Sequence, residues 1–129
     1  IDVEDLTKHK MDSDLISVDT EAVQLINKAK AENRKICAVG TSVQRVLETA
    51  SLTGGMLKEY DGWTSKFIFP EYNFQVANCM IANFYAPYST MLMLTTAFGG
   101  YDNVMNAYKV ALDEGYRFGL YGDAMLIID

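Results

Sequence analysis

The sequence predicts an α/β fold, a layered α/β/α-type domain on a mixed sheet, and three observations carry that reading. The first is Lys35-Ile36-Cys37-Ala38-Val39, a short apolar strand that meets Gly40-Thr41-Ser42 and continues as a helix marked by Val43, Val46, Leu47 and Ala50. The second is helical periodicity in flanking stretches, and the third is a segment rich in aromatic and β-branched residues with period two from Met56 to Met80. A strand, tight turn and helix unit belongs to α/β architecture, where ligands collect beyond the carboxyl ends of the strands.

Taken in order, residues 1–18 are polar and acidic with scattered apolar positions, and read as a strand and a loop or docking arm. Asp19 and Thr20 offer N-caps for a helix with Ala22, Val23, Ile26, Ala29 and Lys30 on one face, ending near Asn33. After the Gly40 turn and its helix, Thr53-Gly54-Gly55 breaks the pattern. Phe67, Phe69, Tyr72, Phe74 and Val76 then predict two or more strands around a Pro70-Glu71 turn. An apolar helix over Ser89–Phe98 stops at Gly99-Gly100. Another starts near Asp102, with Val104, Ala107, Tyr108, Ala111 and Leu112 inward, and ends at Gly115. The tail reads as a strand from Tyr116, a Gly122-Asp123 turn and a last apolar strand. No repeat or internal linker interrupts residues 1–129, which are expected to form a single domain.

The chain has 129 residues, 50% apolar and 22% charged, enough to bury a core. Seventeen acidic against eleven basic side chains give a net charge of −6, which opposes phosphate-backbone binding by this segment acting alone. Any RNA partner needs cations from elsewhere. No apolar run approaches a membrane span and the start lacks the order of a secretory signal, so a cytoplasmic location is expected. Cys37 and Cys79 lie in apolar segments and read as reduced, buried, structural thiols. With His9 the lone imidazole, no metal site is expected. The chain opens on Ile1 without an initiator methionine and reads as an excerpt of a longer protein.

Polar residues cluster where elements change. Asn83, Ser89 and Thr90 precede an apolar helix, and helix starts supply unpaired N–H groups suited to an anion. The plain alternative is that Ser89 or Thr90 only caps the helix. Thr41 and Ser42 offer hydroxyls and N–H groups for a carboxylate or ribose, or form a capping turn. Arg45 and Arg117 offer bidentate guanidinium groups, with Glu48 an i,i+3 ion-pair partner for Arg45 as the structural reading. Asp123 suits ribose, base or proton binding, or an Asx-turn to its own backbone. His9 is the only group with an ordinary pKa near neutrality.

Three segments together resemble the S-adenosylmethionine:tRNA ribosyltransferase-isomerases of queuosine biosynthesis. Ala38-Val39-Gly40-Thr41-Ser42-Val43-Gln44-Arg45-Val46-Leu47-Glu48 is similar to the family's A-V-G-T-T-S-V-R-x-L-E. Gly62-Trp63-Thr64, Phe67-Ile68-Phe69-Pro70, Tyr72-Asn73-Phe74, Asn83-Phe84, Pro87, Ser89-Thr90 and Leu92-Met93-Leu94 follow its G-W-T, F-I-x-P-x-Y-x-F and N-F-H-x-P-x-S-T-L-L-M-L series. Gly115-Tyr116-Arg117-Phe118 through Tyr121-Gly122-Asp123-Ala124-Met125-Leu126-Ile127 is close to its ending G-Y-R-F-x-S-Y-G-D-A-M-L-I. Glu4-Asp5-Leu6-Thr7-Lys8-His9-Lys10-Met11 also has a counterpart, so the resemblance covers essentially the whole chain.

The resemblance implies the C-terminal portion of a larger two-domain enzyme, whose α/β domain forms one wall of a cleft. There S-adenosylmethionine, as ribosyl-donor substrate, modifies a 7-aminomethyl-7-deazaguanine base of tRNA to give epoxyqueuosine, with adenine and methionine released. It implies catalytic roles for His9 and Asp123 and substrate contacts for Thr41, Ser42, Arg45, Asn83, Ser89, Thr90, Arg117 and Tyr121. The partners implied are S-adenosylmethionine and, through the full-length enzyme, tRNA; a monomer without metal is expected, and the excerpt alone is expected to be inactive.

Departures from the family pattern are Tyr85 and Tyr88 where histidine and lysine are usual, Asp12 for a second histidine, Ser42-Val43 for Thr-Ser, and Leu120 for serine. They support a rival, a diverged paralogue that keeps the S-adenosylmethionine pocket with another acceptor or no activity. A third reading is a noncatalytic interaction domain whose surface is Trp63, Phe67, Phe69, Tyr72 and Phe74; aromatics at strand spacing more often belong to a core.

Overall fold

A computed structural model of the chain describes residues 13–68, 70–85, 89–118 and 122–128. Its elements run β1 (Asp14–Val18), α1 (Thr20–Ala31), β2 (Cys37–Val39), α2 (Thr41–Thr49), β3 (Tyr60–Thr64), β4 (Cys79–Asn83), α3 (Thr90–Gly99), α4 (Tyr101–Asp113) and β5 (Ala124–Ile128). Apolar periodicity accounts for the helices. Asp19 caps α1 by accepting the Ala22 N–H at 2.9 Å, and Lys28 and Lys30 lie in its last turn, where cations suit the helix dipole.

The strands form two sheets. β1 and β3 pair antiparallel as a two-stranded ribbon, with Asp14 opposite Thr64 and Val18 opposite Tyr60. The mixed sheet expected from the sequence is formed by β2, β4 and β5; the structure gives their order as β2-β4-β5, with β2 parallel and β5 antiparallel to the central β4. Because side chains alternate across a strand, Ala38, Met80, Ala82, Met125 and Ile127 share one face. That face holds the core: Ala38 packs with Val18, Leu47, Ala50, Leu57 and Val76, and α1 lends half-buried Ala22, Val23 and Ile26. Met80 and Ala82 pack with Ile68 and Leu94, while Met125 and Ile127 meet the cluster of Phe84, Leu92, Val104, Tyr108 and Ala111.

Several expectations are corrected. The aromatic stretch around the Pro70-Glu71 turn is not a strand pair: β3 lies before it and β4 after it. Its Gln75 and Val76 N–H groups donate to the Glu48 carboxylate instead of a ladder. Its rings pack edge to face, Tyr72 on Phe74 and Phe74 on Phe98, each at 5.0 Å. Tyr116–Phe118 is not a strand either; Arg117 and Asp123 close a loop on each other, and the Tyr116 and Phe118 rings pack against Phe84. Leu112 faces outward at 67% exposure. Cys79 is buried as expected, but its neighbour Cys37 is exposed.

Candidate functional site

The sheet topology gathers three distant segments at one edge. β2 and β4 are parallel, so Gly40-Thr41 and Asn83 leave the sheet on the same side; β5 runs antiparallel and starts with Ala124 opposite Asn83, which brings Asp123 there too. The Asn83 side-chain amide donates to the Asp123 carbonyl at 3.4 Å. Thr90 opens α3 from the loop that follows β4.

Gly40 makes the turn possible. Its φ of +99° is a conformation that side-chain-bearing residues rarely adopt, and its N–H still donates to the Ile81 carbonyl at 2.8 Å, so the chain leaves the sheet only at Thr41. The same glycine occupies the N-cap position of α2 and has no side chain with which to cap. At α3 the opposite holds: Ser89 accepts the Leu92 N–H through Oγ at 3.1 Å, which is the capping role.

A cleft of about 100 Å³ lies between these two helix starts, lined by Thr41, Ser42 and Arg45 from α2, Thr90 from α3, and Asp14 and Lys66 from outside them. Of the candidates read from sequence, Thr41, Ser42, Arg45 and Thr90 therefore share one cavity. Asn83, Ser89, Arg117 and Asp123 are not in its lining. Asp123 accepts the Arg117 N–H at 2.8 Å through its carboxylate, a bond to a residue six positions back and not the expected Asx-turn, while the Arg117 residue is exposed. His9 and Tyr121 lie outside the described residues, as do Asp12, Phe69, Tyr88 and Leu120.

Arg45 is buried and works as a brace. It donates to the Lys66 carbonyl at 2.9 Å and the Thr64 carbonyl at 3.0 Å, and pairs with Asp14 on the ribbon. The expected Arg45–Glu48 pairing gives way to a different one. Glu48, also buried, accepts from the Gln75 and Val76 N–H groups and from the Tyr72 hydroxyl at 3.0 Å. The two side chains tie α2 to opposite neighbours, ribbon and aromatic loop. Burial raises the Tyr72 hydroxyl pKa well above its ordinary value, and the nearby Glu48 charge raises it further. Burial likewise raises that of Tyr108, opposed by the 2.6 Å hydrogen bond its oxygen accepts from the Tyr85 N–H.

Asp14 and Lys66 were missed by sequence reasoning, and Glu48 was named only as a partner for Arg45. Asp14 sits in a featureless acidic arm and Lys66 follows a glycine-tryptophan-threonine run, so neither carried a local signal. Glu48 did carry one: it lies four residues after Gln44 on the helix face that also buries Thr41, which marks a carboxylate needing internal donors. Gln44 is fully buried and its side-chain amide has no hydrogen-bond partner among the described residues. The proposed aromatic partner surface is broken up, since Trp63 is exposed whereas Phe67, Tyr72 and Phe74 are half-buried. Among the described residues no cluster of three or more histidine, cysteine or acidic side chains suits a metal, and no helix is long and apolar enough to cross a membrane.

Comparison with known proteins decides what this arrangement belongs to. A family model described as queuosine biosynthesis protein matches residues 1–127. The chain belongs to this family. It is similar, at 63% identity over its full length, to a Bacteroides fragilis protein named S-adenosylmethionine:tRNA ribosyltransferase-isomerase. It is 64% identical to a Phocaeicola vulgatus protein of the same name, again over 100% of this chain. The chain spans only 37% of the length of each of these relatives. Among solved structures, that of S-adenosylmethionine tRNA ribosyltransferase from Thermotoga maritima superposes with a TM-score of 0.82 at 42% identity, covering 88% of this chain and 40% of that one.

Proposed function

We propose that this chain is one wall of a cytoplasmic S-adenosylmethionine:tRNA ribosyltransferase-isomerase, which moves the ribosyl group of S-adenosylmethionine to 7-aminomethyl-7-deazaguanine in tRNA to give epoxyqueuosine, adenine and methionine. The observation that carries the reading is the uncapped start of α2, opening beside Thr41 and Ser42 into a cleft shared with the start of α3, in a chain of this family. Free N–H groups and the positive end of a helix suit the methionine carboxylate, and the two hydroxyls add donors. Arg45 holds the cleft's outer side in position.

A cleft of about 100 Å³ takes a carboxylate or part of a ribose, while a ligand of this size fills a pocket of roughly 300 Å³ or more. The remaining wall then comes from the part of the enzyme outside this chain, and so do the cations for tRNA, given the net charge of −6. The reaction also needs a group to take the acidic proton beside the sulfonium; His9 and the exposed Asp123 are the candidates, with Thr90 a polar group in the cleft.

The test is to incubate full-length protein with S-adenosylmethionine and tRNA carrying the modified base, and to measure adenine release against epoxyqueuosine formed. Equal amounts are expected, and a Thr41→Val/Ser42→Ala protein should bind S-adenosylmethionine about tenfold or more weakly, the size of one lost charge-assisted hydrogen bond. Ligand binding without adenine release would replace this reading with a diverged paralogue.

A further inference from the structure

We propose that a groove at the other end of the β2–β4–β5 sheet, away from the cleft, holds an unpaired base of the RNA substrate. The inference deepens the reading of this chain as part of a tRNA-modifying enzyme and rests on it. Cys79 pairs with Ile128 at one end of β4 and Asn83 with Ala124 at the other, and the helix starts that flank the cleft follow the Asn83 end. A cavity of about 350 Å³ opens at the Cys79 end, between the aromatic loop, the last turn of α3 and the start of α4. It is larger than the cleft and has room for a flat heterocycle. The five residues of β4, about 15 Å of strand, separate the two sites. A ligand the size of S-adenosylmethionine seated in the cleft does not fill both, whereas an RNA can touch both at once.

The lining suits a base. Tyr72, Phe74 and Phe98 are half-buried, pack edge to face on one another and offer ring surface for stacking. Asn73, Asn78 and Asn103 add side-chain amides. The Asn78 Oδ1 accepts the Ile36 N–H at 3.0 Å and the Asn103 Nδ2 donates to the Gly99 carbonyl at 3.3 Å. The Asn78 amino group and the Asn103 Oδ1 are left unclaimed among the described residues, as is the whole side chain of exposed Asn73. Donors and acceptors side by side match the mixed edge of a base, whereas a phosphate or carboxylate takes donors only. Asn78 also borders a neighbouring groove with Lys30, Arg34 and Lys35. Lys30 donates to the Gln75 and Val76 carbonyls and Arg34 pairs with Glu32, so Lys35 is the cation available to the phosphate of the bound nucleotide. One lysine does not hold an RNA, and the bulk of the countercharge still comes from outside this chain.

The test uses full-length protein and tRNA transcribed with 4-thiouridine in place of uridine, irradiated with long-wave ultraviolet light, with cross-linked peptides read by mass. An adduct within residues 72–78 or 98–103 is expected, and adducts confined to other segments overturn the proposal. Asn73→Ala gives an independent reading, since the exposed side chain it removes has no partner among the described residues and the variant should fold. It should weaken tRNA binding about fivefold, the size of one hydrogen bond, without changing the salt dependence, because a base contact releases no counterions. Unchanged affinity overturns the proposal, and so does a flatter salt dependence, which would put a phosphate in the groove. An adduct and weakened binding without adenine release would sink the proposed reaction and spare the groove; adenine release without the adduct would do the reverse.

Discussion

α2 and α3 begin at the same cleft by different means. α3 is capped by Ser89 and fixed by apolar Leu92 and Leu94. α2 starts from a glycine with no capping side chain and is fixed instead by two buried charges, Arg45 toward the ribbon and Glu48 toward the aromatic loop. A helix that leaves its first N–H groups unclaimed needs anchoring farther along, and the charges on α2 supply it. The difference explains how a short nine-residue helix can present an open N-terminus without fraying.

Removing an anchor should therefore hurt most. Glu48→Ala leaves the Gln75 and Val76 N–H groups and the Tyr72 hydroxyl without their acceptor, and should lower unfolding free energy by about 3 kcal/mol in full-length protein, measured by urea denaturation. A loss under about 1 kcal/mol would show that the loop holds itself. Gly40→Ala acts on the start of α2 alone. A Cβ there would meet nothing within 4 Å, so the whole cost, about 2 kcal/mol, is that of forcing φ +99° on alanine. Ser89→Ala, at the capped start of α3, should cost about 1 kcal/mol and leave S-adenosylmethionine affinity unchanged. A large affinity loss in that variant would erase the distinction between the two helix starts.

How far these features could be read in advance follows from the range of the forces involved. Helical periodicity and the glycines at 40 and 99–100 act within a few residues, and they located α1, α2, α3 and α4 within a few residues and foretold the mixed sheet. The stretch read as strands around the Pro70-Glu71 turn misled because aromatic side chains at alternate positions look alike in sequence whether or not a neighbour pairs with the backbone. What decides the matter is Glu48, 27 and 28 residues earlier in sequence than Gln75 and Val76, which takes the N–H groups a ladder would need. The Arg45–Asp14 contact spans 31 positions and displaced the local i,i+3 pairing for the same reason. Thr41, Ser42 and Thr90 could be placed together from the α/β rule that sites form beyond strand ends; Asp14 and Lys66 could not, because they reach the cleft only through the ribbon and its following loop.

The weakest expected effect tests the Glu48 anchor through pH. Tyr72 ionises near 10.0 in an unfolded chain, while in the fold burial and the Glu48 charge keep its hydroxyl neutral to higher pH. Its pKa is thus raised on folding, so its contribution is fully present below pH 10.0 and is lost as pH rises through that value toward the folded one. Tyr72→Phe removes both the hydrogen bond to Glu48 and this titration. The variant should be about 1 kcal/mol less stable than the natural protein near neutral pH. Above pH 10 the natural protein gains a reason to unfold that the variant lacks, because only its unfolded state releases the phenolic proton. The gap between the urea midpoints of the two proteins should therefore narrow from about pH 8 to about pH 11. A gap of constant width would mean that the Tyr72 hydroxyl ionises alike in both states, and that Glu48 holds α2 through the Gln75 and Val76 N–H groups alone.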